Sequence, residues 1–274
     1  MQLKATTYTV IGGIAEITLS RPHRGNAWTG RMHTEYRYLL ERAEQESTVR
    51  AILVTGAGRQ FCVGGDSQAL DGHSKAGAYD AGTTTDLVMP GNSDFDAFKE
   101  DFSYHFALTK PVIAAINGAA AGVGLVLACY ADIRFAVPGA KLTTAHGPLN
   151  LPAEYGLSWL LPRLIGGARA IELLLSSRKF LTDEAHSIGL IHRLIDPEAL
   201  LEDTRAYSQD LIMRVSPGAL RETKRQTYLD FHRDVGAAVR DANVSLSAMV
   251  KQSDYKEGIA AFLEKRNPIW GDNS

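Results

Sequence analysis

The sequence predicts an α/β fold, with a β-rich core that carries the functional site and a helical C-terminal region. Three observations predict it. Residues 51–55 (AILVT) and 112–116 (VIAAI) have the length and unbroken hydrophobicity of strands covered on both faces. Two apolar runs stop in glycines, at residues 61–66 (FCVGGD) and 115–132 (AINGAAAGVGLVLACYAD), and the second restarts as an Ala/Leu-rich helix. From Tyr155 onward helical periodicity replaces strand signals, apart from a short run at 191–195.

Taken in order, residues 8–10 and 14–19 flank Gly12-Gly13, and Ala15, Ile17 and Leu19 alternate with Glu16, Thr18 and Ser20. That is the pattern of a β-hairpin with one buried face. After a loop at 21–26, Thr29 is placed to cap a helix in which Met32, Tyr36, Leu39, Leu40 and Ala43 keep helical spacing as far as about Ser47. The strand at 51–55 follows, and Gly56-Ala57-Gly58 turns the chain toward Phe61-Cys62. Residues 71–94 carry Gly72, Gly77, Gly82, Pro90 and Gly91 with little periodicity, which predicts a long loop, the best candidate for a mobile lid or binding segment. Phe95, Phe98, Phe102 and Phe106 recur at helical spacing and predict a helix with an aromatic face on the core, a ligand-binding aromatic box being the alternative. Lys110-Pro111 ends that helix, and residues 112–116 and 133–137 are further strands. Helices are predicted at 157–165, 168–175, 183–188, 198–215, 218–250 with breaks, and 255–265. The chain divides into a core with the site at 1–195 and a helical region at 196–274, whose spare apolar residues suit contact with a neighbouring subunit.

At 274 residues the chain can bury a large core. With 22% charged residues and a net charge of −2, it has no excess of either sign to attract nucleic acid or a membrane surface, so a small or mainly apolar ligand is expected. Cys62 and Cys129 show neither CxxC spacing nor a third partner, and a reduced, cytoplasmic setting is inferred. The N-terminus lacks a secretory pattern, and no window reaches the ~18 uninterrupted apolar residues of a membrane span. HExxH and GxSxG are absent, and Gly118, Gly122 and Gly124 fit neither GxGxxG nor a P-loop, so no metal or dinucleotide site is indicated. Glycine turns that end strands leave backbone N–H groups without partners, and two such turns converging would form an anion hole made of main chain.

Four motifs in order, VTGAGRQFCVGGD (54–66), KPVIAAINGAAAGVGLVLACYADIRFA (110–136), LLPRLIGG (160–167) and EGIAAFLEKRNP (257–268), closely resemble the crotonase superfamily, the enoyl-CoA hydratase/isomerase family. The resemblance covers nearly the whole chain. It implies a spiral of ββα turns with a helical trimerisation region, trimers or hexamers made of paired trimers, and an acyl-CoA substrate with no cofactor beyond the coenzyme A it carries. It also implies an oxyanion hole from the N–H groups of Gly65 and Val123, which stand in the family's AGAD and GGG motifs.

The hydratases of that family use two glutamates, and this chain has Val126 and His146 at those positions. One acid remains nearby, Glu154, eight residues past the second. Its place corresponds to the working carboxylate of the dienoyl-CoA isomerase and dehalogenase-like branches. Glu154 is therefore the expected general base, against an ordinary acid near a helix N-terminus. His146 is either a second acid/base group or a hydrogen-bonding loop residue. Asp66 and Asp132 are expected to fix loop backbone, and Trp28, Tyr155 and Trp159 to line an acyl pocket or to fill core. For the CoA moiety the resemblance implies Val63, Gly65 and Gly122 at the glycine turns and Arg24 in the loop before the first helix. It adds Phe262 and Lys265 from a neighbouring subunit. The chain has Ser67-Gln68 where relatives commonly carry a CoA-binding lysine. The residues favour double-bond isomerisation over hydration. C–C bond hydrolysis and non-catalytic acyl-CoA binding are the alternatives.

Overall fold

A computed structural model describes residues 1–271 apart from 81, 85, 86 and 92. Its frame is a six-stranded sheet in the order β1-β2-β3-β4-β6-β9, with strands β1 (Thr6–Ile11), β2 (Ile14–Leu19), β3 (Ala51–Gly56), β4 (Val112–Ile116), β6 (Ile133–Ala136) and β9 (Arg193–Leu194). Only the β1–β2 hairpin is antiparallel; Ile17 pairs with Val54 and Ala114 with Arg134 in the parallel part. A smaller sheet joins β5 (Ala120–Ala121), β7 (Lys141–Thr143) and β8 (Phe180–Leu181). These two- and three-residue strands are too short to carry a periodic signal, and the sequence reading contains none of them.

Alternation along the strands sorts side chains into two layers. Ala15, Ile17, Leu19, Ile52, Val54, Ala114 and Ile116 pack on the side of helix α1 (Gly30–Gln45), whose cap is Thr29 Oγ1 accepting from Met32 N at 3.1 Å. Ile14, Leu53, Ile113, Ala115 and Phe135 pack with Leu200 and Ile212 of a C-terminal helix, Leu200–Arg214. That helix corrects the one-faced hairpin expected from the sequence. Glu16, on the supposedly solvated face of β2, is buried and held by the Arg205 guanidinium, with Nη2 to Oε2 at 2.7 Å.

Two further expectations change. Asp66 caps a helix α2 (Ser67–Ala76), so the irregular segment begins at Gly77 and not at residue 71; positions 81, 85, 86 and 92 of that segment lie outside the described residues. The phenylalanines at 95–106 do not share one helix. Two short 3₁₀ turns, Asp96–Phe98 and Ser103–Ala107, are separated by Phe102 at φ 64°, a left-handed conformation that no continuous helix accepts. Phe98, Phe102 and Phe106 are nonetheless buried, as their spacing implied.

The remaining helices are α3 (Val123–Tyr130), α4 (Leu157–Ile165), α5 (Gly167–Ser176), α6 (Thr182–Ser187), α7 (Leu200–Arg214), α8 (Pro217–Leu229), α9 (Val235–Met249) and α10 (Ser253–Glu264). Among the described residues, no helix is long and apolar enough to cross a membrane.

One buried carboxylate ties the N-terminus to α1. Glu35 accepts from the backbone N–H groups of Lys4, Ala5 and Thr6 at 2.8, 2.8 and 2.9 Å and from Thr6 Oγ1 at 2.8 Å. Burial acts to raise its pKa, but the Arg31 guanidinium and these donors outweigh it, so the carboxyl is held below its ordinary value. The folded pKa thus lies below the unfolded one, and the stability Glu35 contributes is present above the unfolded value and lost as pH falls through the folded one. Glu35→Gln is expected to cost about 1–3 kcal/mol at neutral pH, since an amide replaces a charged acceptor. Urea denaturation at pH 7 and pH 3 checks this; the gap between the two proteins should narrow at pH 3.

Candidate active site

Three chain segments run side by side to build the site. Strand β3 ends at Gly56 and the chain returns through Phe61 to Cys62, which bridges Ala120: Cys62 N donates to Ala119 O at 3.1 Å and Ala121 N to Cys62 O at 3.0 Å. On the other side Trp28 bridges Gly65, with Trp28 N donating to Gly64 O at 2.7 Å and Asp66 N to Trp28 O at 2.9 Å. The two glycine turns therefore lie against each other, fixed by main chain. Gly124 marks how closely they approach, because a Cβ there would stand 2.1 Å from the Cys62 carbonyl oxygen. Gly64 sits at φ 102°, open only to glycine.

This arrangement leaves two N–H groups free. The bridge to Trp28 uses the groups of Gly64 and Asp66, so the Gly65 N–H lies on the opposite side of the chain and has no acceptor among the described residues. Val123 is the first residue of α3, where an N–H has no carbonyl one turn back to bond. The positive end of the α3 dipole adds to the field at that point. Both residues line a cleft of about 150 Å³ together with Trp28, His33, Val63, Gly122, His146, Glu154 and Tyr155. The geometry can hold an oxyanion between two backbone donors with a carboxylate opening into the same space.

The cleft thus collects all four residues expected to carry chemistry. Glu154 begins a 3₁₀ turn, Glu154–Gly156, in which Tyr155 takes φ 52° and is anchored by Tyr130 Oη donating to its carbonyl at 2.8 Å. Half-burial raises the Glu154 pKa, and the nearby His146 partly offsets that rise. His146 is 8% exposed and its imidazole makes no hydrogen bond among the described residues. Val126 is buried inside α3 and is not part of the cleft lining.

Asp66 and Asp132 are structural, as expected. Asp66 accepts from Gln68 N at 3.0 Å and pairs with Arg21 at 2.9 Å; Asp132 accepts from Val112 N, Lys224 Nζ and Tyr228 Oη at 2.6, 2.8 and 2.7 Å. Arg24 also reaches Asp66, at 3.4 Å, with its guanidinium partly exposed beside the cleft. Phe262 and Lys265 lie at the end of α10, exposed, and do not line the cleft of their own chain.

Behind Tyr155 lies a larger cavity of about 470 Å³, walled by Phe98, Phe106, Tyr130, Tyr155, Trp159 and His232 among others. Tyr155 is the residue common to both spaces. Of the aromatic residues singled out from the sequence, Trp28 lines the cleft, Trp159 the chamber and Tyr155 both, while Phe102 is core. His33 was missed. It belongs to the buried face of α1 with Met32, Tyr36 and Leu40, but a lone histidine between Met32 and Thr34 gives no chemical signal of its own. Burial, then the guanidinium of Arg37, push its pKa down to about 4 against the opposing pull of Asp101, so it is neutral at pH 7.

Comparison with known proteins agrees with this frame. The family model described as enoyl-CoA hydratase/isomerase matches residues 9–273. A 1,2-epoxyphenylacetyl-CoA isomerase of Escherichia coli (strain K12) is 32% identical over 265 residues, covering 93% of this chain and 94% of its own. A short-chain-enoyl-CoA hydratase of Clostridium acetobutylicum is 27% identical, with 97% of each chain covered. The crystal structure of an enoyl-CoA hydratase from Polaromonas sp. JS666 superposes with a TM-score of 0.84 at 26% identity, covering 98% of this chain and all, 100%, of that one. The chain has the crotonase fold and belongs to the enoyl-CoA hydratase/isomerase family.

Proposed function

We propose that the protein binds an acyl-CoA thioester with its carbonyl oxygen between the N–H groups of Gly65 and Val123, and that Glu154 moves a proton between carbons of the polarised acyl group. The observation that carries this reading is the convergence of two unpaired backbone donors on a cleft into which a half-buried carboxylate opens. The α-proton of a 3-enoyl thioester passes to Glu154, the electron pair delocalises onto the thioester oxygen, and the same carboxyl returns the proton at C4. Atoms balance without water. Hydration instead needs groups that hold and activate a water, and the positions that serve relatives in this way carry Val126 and His146.

The aromatic chamber behind Tyr155 suits the far end of the acyl group, and Arg24, Val63 and Gly122 suit the CoA arm at the cleft mouth. Residues 196–274 are proposed to form the oligomerisation region of a homotrimer or a hexamer. Val235, Val244 and Leu246 on α9 and Phe262 and Leu263 on α10 are exposed, which supports a covering neighbour, and Phe262 and Lys265 would then reach that neighbour's CoA.

A second reading, hydrolysis of a C–C bond in a β-ketoacyl or cyclic diketone compound, is favoured by one observation: His146 and Glu154 line the same cleft, where an imidazole and a carboxylate could together serve a water. The assay that separates them compares 3-enoyl-CoA isomerisation, crotonyl-CoA hydration and 3-oxoacyl-CoA cleavage in the parent and His146→Asn. Isomerisation is expected to exceed hydration by about 10²-fold or more and to survive His146→Asn within about tenfold. Cleavage that collapses in His146→Asn would install the second reading. Binding of CoA esters without turnover of any would leave a non-catalytic binding protein.

A further inference from the structure

Glu154 owes its place in the cleft to a turn whose geometry is unusual for the residues that form it. Between Glu154 and helix α4, Tyr155 takes φ 52° and Gly156 φ 70°, so two consecutive residues are left-handed. Glycine accepts that conformation freely, whereas a bulky residue such as tyrosine is strained there and keeps it only where its surroundings hold it. Three contacts hold Tyr155: its ring packs edge-on against the buried Phe102 at 5.0 Å, its hydroxyl meets Tyr79 Oη at 2.7 Å, and its carbonyl accepts from Tyr130 Oη at 2.8 Å. The first two act on the side chain. The third grips the backbone of the turn itself.

Tyr130 is the last residue of α3 and is buried, with its ring packed against Phe102 at 6.1 Å and Phe106 at 5.1 Å, so the hydroxyl has little freedom to leave the Tyr155 carbonyl. Burial, then the neighbouring Cys129, push its pKa up to about 12, and the phenol keeps its proton for donation at pH 7. A Cβ on Gly156 would stand 3.0 Å from the same oxygen, which shows how closely the hydroxyl fits the turn. At the other end of α3 is Val123, the proposed oxyanion donor, and this one eight-residue helix sets the separation of the two. We propose that Tyr130 is a positioning residue for proton transfer: its hydroxyl holds the Tyr155 carbonyl, and so keeps the left-handed turn that presents Glu154 to the cleft in register with the Val123 N–H. The same helix then aligns the group that polarises the thioester and the group that moves the proton. This rests on the reading of Glu154 as the base and deepens it.

The test measures 3-enoyl-CoA isomerisation in the parent, Tyr130→Phe, Glu154→Gln and the double variant, since a residue that acts through another adds nothing once that other is gone. Phenylalanine keeps the ring and its packing and removes the hydroxyl. Tyr130→Phe should lower kcat by about 10–10²-fold, the scale of a misplaced catalytic group, with KM within about twofold of the parent. In the Glu154→Gln background the same substitution should cost less than about twofold. Gly156→Ala disturbs the same bond from an exposed position and should repeat this pattern, so the result does not depend on how well Tyr130→Phe folds. Unchanged kcat, or an equal loss in both backgrounds, would overturn this proposal, and a large loss in Glu154→Gln alone would then leave the base reading standing. Full activity in Glu154→Gln would overturn both.

Discussion

Glu154→Gln is expected to lower 3-enoyl-CoA isomerisation by about 10²–10⁴-fold, the usual contribution of a positioned general base, with little change in affinity for the CoA ester. Glutamine keeps the size and polarity of the side chain and removes only its capacity to take a proton. Stability gives the control. Because burial raises the Glu154 pKa, the folded protein holds that proton more tightly than the unfolded chain. Stability is then full below the unfolded pKa, declines as pH rises, and levels off above the folded pKa, so the ionised carboxylate is a cost at pH 7. The variant should melt at the same temperature as the parent or higher. The parent's kcat/KM should fall with acid through a pKa above the ordinary glutamate value of about 4.3, and that limb should vanish in the variant. Full activity in Glu154→Gln would remove Glu154 from the mechanism.

Val123→Pro is expected to cost about 10²–10³-fold in kcat at nearly unchanged stability. Proline lacks the one atom pair in question, the N–H, and position 123 is the first residue of α3, where proline is a favoured residue because that N–H is unused by the helix. The preceding residue is Gly122, which tolerates the restriction proline places on its neighbour. The substitution thus separates the donor from the fold. A thermal melt matching the parent, combined with the kinetic loss, would locate the defect in the oxyanion hole.

How far the sequence carried depended on the length scale of each feature. Strands β2, β3, β4 and β6 and the C-terminal helices were legible because each repeats a hydrophobic pattern over several residues, and the Thr29 cap because a threonine directly precedes one such run. The bridges Trp28–Gly65 and Cys62–Ala120 are single-residue events between distant segments, and no periodicity announces them. They nonetheless decide whether the glycine turns meet. The phenylalanines at 95–106 show the converse case, in which correct spacing for burial was read as a helix although Phe102 breaks the helical path. At the site, motif position singles out Gly65, Val123, His146 and Glu154, and all four line one cleft. His33 and the buried indole of Trp28, whose Nε1 has no partner among the described residues, belong to no motif, and only their burial in the folded chain marks them.

Polarisation of a thioester carbonyl by main chain at Gly65 and Val123 is the proposal on which the rest depends. The most direct measurement is the ¹³C chemical shift of a [1-¹³C]acyl-CoA bound to the Glu154→Gln protein, with and without Val123→Pro. Two donors on the carbonyl oxygen should move the bound signal downfield of its value in water, and removing the Val123 N–H should return it part of the way. A bound signal that matches free thioester, or one that Val123→Pro leaves in place, would contradict the claim.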